Sequence, residues 1–239
     1  LDNQYTVRVH LGMHGLWHRY PLPWTARGEI HLLLESEREV FVCLQPKEVE
    51  ILKSSQMRRH PALTGLGPDL LGAEPDWDRV WQRLLQHSPV GRELGEVLLD
   101  QRIAAGLGNV YKNELCFLGP LAQDKAWVPL CGTSPYTAWN QCTRAELIGM
   151  LQRGRQLLLA NLGGWPRTTT ADGRGLTPGR SRCWVYERQG RPCLRCGAPL
   201  VARPQGLQAR ATCWCPACQP LNRWGTPTKS APLAGNRPD

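Results

Sequence analysis

The sequence predicts an α+β protein: part of an antiparallel β-sandwich, then a helical domain that ends in a cysteine-bearing β-hairpin. Three observations lead there. Apolar and polar residues alternate near the start, the two-residue period of a half-buried strand. From Asp76 the period becomes helical. Towards the other end, two Cys-x2-Cys pairs flank residues with strand character.

Residues 1–53 carry the strands. Tyr5, Val7, Val9 and Leu11 alternate with Thr6, Arg8, His10 and Gly12; Ile30, Leu32 and Leu34 alternate again; Glu35–Glu39 is a polar turn, and Val40–Leu44 resumes as a strand. A first strand with no partner before it suggests an incomplete sheet. Residues 54–74 read as a linker, with turn residues at Thr64–Asp69. Residues 75–161 read as helical. Asp76–Leu85 forms one helix. Ser88-Pro89 offers an N-cap and a first-turn proline, with Val90, Leu94, Val97 and Leu98 following at helical spacing. A glycine-punctuated turn, Ala105–Asn109, leads into a helix over Val110–Leu118. Thr143-x-x-Glu146 is a capping box that opens a helix running to Asn161. Residues 162–183, rich in Gly, Thr and Arg, read as a flexible loop; 184–219 hold the cysteine pairs; 220–239, with four prolines, read as a disordered tail.

The chain has 239 residues and 41% hydrophobic content, enough for real cores. No apolar run of about 18 residues exists, so no membrane span is expected. The start, Leu1-Asp2-Asn3-Gln4, lacks the features of a signal peptide. It is not a methionine, and the expectation is a truncated chain. Net charge is +9, and thirteen Arg, no Lys and three acids fall between Arg144 and Trp224. The positive field therefore belongs to the C-terminal part, where guanidinium forks can grip phosphate bidentately. A GC-rich genome explains Arg over Lys, but not the scarcity of acids.

Cys193-x2-Cys196 and Cys215-x2-Cys218 are eighteen residues apart. Four thiolates satisfy tetrahedral Zn2+ and leave no open position, so one structural zinc is expected. The alternative is a pair of redox motifs. Cys213 reads as a strand residue, not a ligand. Zinc ribbons also bind proteins, so the ribbon does not by itself mean nucleic acid; Arg210, near the hairpin tip, is the residue that can enter a groove and meet phosphate. The Ala105–Tyr111 segment lies between two helices, and its small residues let a ligand approach the free N–H groups of the next helix. It reads equally as an anion site or as a capping turn with Asn109 as N-cap.

Taken in order, three segments resemble a known family. Leu98–Tyr111 resembles the helix-two-turns-helix signature of the formamidopyrimidine-DNA glycosylase / endonuclease VIII family, Arg210-Ala211-Thr212-x-x-Cys215-x-x-Cys218-Gln219 its zinc-finger end, and His10–Gly15 its wedge-bearing strand turn. The likeness leans to actinobacterial endonuclease VIII-type proteins, since Gln45–Glu50 stands where an Arg-Arg-Phe loop would lie. The resemblance implies a DNA glycosylase / AP lyase that removes oxidised bases and cleaves by β,δ-elimination. Its partner would be damaged double-stranded DNA, and it would act as a monomer in the bacterial cytoplasm. Asn109 and Arg102 would hold backbone phosphate. Arg210 would clamp the flipped nucleotide and assist the second elimination. Met13 and His14 would fill the vacated stack, although Met13 also reads as a core methionine. The family's nucleophilic proline, the glutamate after it and a lysine upstream of the wedge have no counterpart here. The expectation is that roughly 60 residues precede this chain, which as it stands would be inactive, or that it is a non-catalytic damage-binding relative. A zinc-ribbon protein-interaction module is the third reading.

Overall fold

The computed structural model describes residues 4–12, 14–119, 132–163, 167–170 and 181–220. The chain divides into two compact units, Leu1–Gly65 and Leu66–Asp239. The content is mixed α and β, and every paired strand is antiparallel.

The first unit holds two small sheets. Strand β1 (Tyr5–His10) pairs with β5 (Glu48–Lys53), while β2 (Leu16–Pro21), β4 (Glu39–Leu44) and β3 (Leu32–Glu35) form a sheet in that order. Thus β1 does have a partner, supplied by chain that follows it. Arg8 lies directly opposite Glu50 and donates to both Glu48 and Glu50, an opposite-charge pairing that fixes the register. Central β4 buries Val40, Val42 and Cys43 on both of its faces. After β1 the chain turns at Gly12, whose φ of +67° favours glycine. The stretch that follows β5 is not structureless: a 3-10 turn spans Ser54–Arg59, and one helical turn, α1 (Pro61–Thr64), starts on its proline.

Among its described residues the second unit is built on four helices and a hairpin. Helix α2 (Trp77–His87) is capped by Asp76, whose carboxylate accepts from the Arg79 N–H at 3.0 Å, and it buries Val80 and Leu84. Helix α3 (Leu94–Leu99) starts after Glu93, not at Ser88-Pro89 as the N-cap pattern suggested. Ser88 instead closes α2, and Gly91 takes φ +90° with its N–H held by Asn140 Oδ1, which turns the chain before a helix can begin. Helix α4 (Asn109–Leu118) follows the glycine turn, and α5 (Arg144–Ala160) starts on the Thr143–Glu146 capping box. Strands β6 (Val201–Gln205) and β7 (Arg210–Trp214) form the hairpin.

Two apolar clusters hold this unit. One gathers Leu84, Leu94, Ile103, Leu107, Leu115, Leu147 and Met150 around the helices; the other gathers Phe117, Val185, Leu200 and Cys213 beneath the hairpin. Leu115 serves the first and Phe117 the second, so α4 passes through both cores. Every residue from Tyr111 to Phe117 is buried.

Candidate nucleic-acid interface and metal centre

The polar residues of α4 decide where the hairpin stands. Lys112, Asn113 and Glu114 are fully buried. A charge survives burial only when it is paired or hydrogen-bonded. Glu114 meets that condition by accepting from the successive backbone N–H groups of Trp184 (2.8 Å), Val185 (2.9 Å) and Tyr186 (2.9 Å), and from the Thr169 hydroxyl. Asn113 accepts from the Cys213 N–H at 2.5 Å and donates to Asn109 O at 2.6 Å. Lys112 donates to the Thr212 hydroxyl. Three consecutive side chains thus tie α4 to the segment before the cysteine knuckles and to β7. Burial holds the Lys112 ammonium down to about 8.

This anchoring brings Asn109 to the hairpin. Its side chain donates to Ala211 O at 2.9 Å, one residue from Arg210. Gly108, not Asn109, is the N-cap residue, so the capping alternative fails and Asn109 opens the helix itself. The amide nitrogen is occupied by Ala211, and the donors left at this end are the first-turn N–H groups of α4.

Arg102 and Arg210 line the same cleft of ≈ 300 Å³, between the C-terminal end of α3 and the hairpin tip. Arg102 donates to both oxygens of Asp100, at 2.9 and 2.6 Å, and Arg92 donates to the same carboxylate at 2.7 Å. Burial alone would raise the Asp100 pKa; the Arg102 and Arg92 donors outweigh it and hold the carboxyl well below its usual range. The carboxylate fixes Arg102 while leaving its side chain 54% exposed to the cleft. Gln101 closes the glycine turn behind it: its Oε1 accepts from the Gly106 N–H at 2.9 Å and its Nε2 donates to Leu107 O at 2.8 Å. At the tip end of β6 Gln205 is buried and donates to Glu93 (2.8 Å) and Pro135 O (2.9 Å). Sequence reasoning singles out Arg102, Asn109 and Arg210 but misses Asp100, Gln101, Glu114 and Gln205. The first two are legible as members of the Leu98–Tyr111 segment; Glu114 and Gln205 carry no sequence signal.

The thiols of Cys193, Cys196, Cys215 and Cys218 all lie within 4.8 Å of one another. The Cys196–Cys215 and Cys193–Cys218 sulfurs are 3.4 and 4.0 Å apart, against about 3.8 Å between sulfurs on a tetrahedral zinc with 2.3 Å bonds. Gly197 takes φ +78° to turn the first knuckle, whose Cys193 carbonyl accepts the Gly197 N–H at 2.9 Å. Gln219 accepts from the Cys215 N–H at 2.9 Å and donates to Thr133 O at 3.1 Å, bracing the second. The donor set fits a metal ion. Cys213 lies on β7, buried, outside the cluster.

His14 lies in the first unit, in the turn after β1, where the Gly15 N–H closes onto Leu11 O at 3.0 Å. Met13 lies outside the described residues, as do most of 162–183 and all of 221–239. No helix among the described residues is long and apolar enough to cross a membrane.

No family model matches the chain. DNA-(apurinic or apyrimidinic site) lyase Nei2 of Mycolicibacterium smegmatis is 39% identical over 217 residues, which cover 90% of this chain and 75% of that protein. Probable endonuclease 8 2 of Streptomyces coelicolor is 38% identical over 222 residues, 90% and 72% of the two chains. Among solved structures, Lactococcus lactis formamidopyrimidine-DNA glycosylase bound to AP-site DNA matches with a TM-score of 0.66 at 21% identity, over 92% of this chain and 76% of that one. The MutM (Fpg) protein of Thermus thermophilus matches with 0.64 at 27% identity, over 91% and 77%. On identity sustained across nine tenths of its length, the chain belongs to the formamidopyrimidine-DNA glycosylase / endonuclease VIII family.

Proposed function

We propose that this protein grips damaged double-stranded DNA through the Arg102–Arg210 cleft and the adjoining start of α4, in the service of base-excision repair as a DNA glycosylase / AP lyase. The observation that carries the reading is the convergence of residues from two segments far apart in the sequence. Arg102 and Arg210 line one cleft, and Asn109 is bonded to the residue beside Arg210. Guanidinium groups on one cleft, with the start of α4 bonded to the neighbouring strand residue Ala211, suit a phosphate backbone. The names of the relatives, an AP lyase and endonucleases 8, point the same way.

In this reading Arg210 clamps the phosphates of the displaced nucleotide and assists the second elimination, and Met13 with His14 fills the gap in the stack. The four cysteines hold one structural Zn2+. The metal supplies no chemistry to the substrate: with four protein ligands it has no open position, and its work is to hold the hairpin that carries Arg210. The protein acts as a monomer in the bacterial cytoplasm.

Binding of the chain to an abasic duplex across a salt series tests the reading. Log affinity should fall linearly with log salt, with a slope near −0.9 per phosphate neutralised. A flat response favours a protein-interaction module. Arg210→Ala should weaken abasic binding far more than removal of residues 221–239, and equal effects contradict the role given to Arg210. Borohydride trapping on the same duplex should leave this chain unattached, since it has no counterpart of the proline nucleophile; covalent attachment would place a Schiff-base amine among its own residues.

A further inference from the structure

The hairpin ends in a feature the proposed function does not use. Leu207 stands at the tip with a relative exposure of 107%, the highest of any large apolar side chain among the described residues; the next, Ile51, is at 67%. The four-residue loop beneath it is held firmly. The Ala209 N–H donates to Gly206 O at 3.0 Å, and both residues take left-handed backbone, Gly206 at φ +68° and Ala209 at φ +48°. Glycine takes that conformation freely and alanine only at a cost, so the loop holds one strained residue. A side chain on Gly206 would meet Glu96 at 2.9 Å, so the tip is braced against α3. Buried Gln205 anchors the strand just before it.

We propose that Leu207 is a second wedge, which enters the minor groove of DNA beside the lesion while Arg102 and Arg210 hold the flanking phosphates. The inference rests on the DNA-binding reading above and adds a residue and a groove to it. Leu207 lines the same cleft as Arg92, Arg102 and Arg210, together with the carboxylates of Glu96 and Asp100, the latter paired with Arg92 and Arg102. A lone leucine is too small for a protein-docking patch. A single aliphatic side chain on a narrow rigid tip, flanked by guanidinium groups, matches instead the demand of a groove about 6 Å wide with phosphates on either side. A distorted duplex opens its base steps more readily than an intact one, so the wedge favours damaged DNA and adds little on intact DNA.

Fluorescence anisotropy with abasic and intact duplexes tests this. Leu207→Ala should lower the preference for abasic over intact duplex by about tenfold, the order expected for losing a buried aliphatic side chain, and leave the salt slope unchanged. Leu207→Met should restore most of the preference. Replacing guanines beside the lesion by inosine removes an amine from the minor groove only; it should shift wild-type affinity and leave L207A indifferent, while 7-deazaguanine, altered only in the major groove, should affect neither. Wild-type preference and salt slope both retained in L207A overturn the wedge and leave the DNA-binding reading standing. A response to 7-deazaguanine without one to inosine overturns the groove assignment. A wild-type chain with a flat salt response overturns both readings together.

Discussion

Lys112 is an ammonium group enclosed without a carboxylate partner. Its neighbours are the Thr212 hydroxyl, Gln205, the Cys116 and Cys213 thiols, and the repelling charge of Arg210. Burial lowers its pKa from 10.5 to about 8, and the sign of the stability effect follows. Between those values the unfolded chain binds a proton that the folded chain does not, so stability rises with pH across that window. Below about pH 8 the full penalty applies, about 3 kcal/mol for a displacement of this size. Lys112→Met should therefore stabilise the protein at pH 7, and urea melts should show the gain shrinking by about 2 kcal/mol at pH 9.5. A gain independent of pH would mean that packing, not charge, sets the cost. Glu114 is the opposite case, a carboxylate with four donors. Glu114→Gln turns an acceptor oxygen into a donor facing buried N–H groups and should cost about 3 kcal/mol, read as a lower urea midpoint at unchanged slope. These residues also mark where the sequence stops being legible. Lys-Asn-Glu inside a helix has the look of a solvated face, because nothing local distinguishes a charge facing water from one facing another segment's backbone.

At the scale of elements, the turns that hold the fold are constrained by the space and the backbone angles around them. Gly67 packs on the chain that leads into the glycine turn: a side chain there would come within 2.3 Å of Ile103 O. Gly67→Ala should cost at least about 2 kcal/mol through backbone displacement, visible as a fall in melting temperature. Ala209→Gly should go the other way and gain about 0.5–1 kcal/mol by relieving a left-handed alanine. Cys196→Ser should release zinc and weaken abasic-duplex binding; metal content unchanged by a chromogenic chelator would count against the ligand set. The elements themselves are largely readable. Capping boxes and helical periods act locally, and Thr143 and Asp76 start helices where their side chains say they should. The sequence misplaces the start of α3 because Ser88-Pro89 has the right chemistry for an N-cap, while the deciding contact, Asn140 on the Gly91 N–H, comes from 49 residues away. Strand β2 escapes a pattern reading as well: Leu16–Pro21 mixes two aromatic rings, His and Arg, and lacks clean alternation.

For the whole molecule, the second unit is one body because α4 threads both of its cores. The cationic C-terminal stretch, visible in the composition, carries Arg210, which shares a cleft with Arg102 although 108 positions separate them in the sequence. Charge counting could suggest a polyanion partner; it could not show that, of thirteen arginines in that stretch, Arg210 shares a cleft with Arg102.

The carboxylate of Glu114, docked on three neighbouring amides of the chain that runs into the first knuckle, links the two ends of this machinery. Whatever stiffens or slackens the sulfur cage is conveyed along a single helical shaft to the amide groups at its far end. A chelator that empties the cage should therefore quicken hydrogen exchange at Lys112, the first amide bonded within that helix, as surely as at the cysteines.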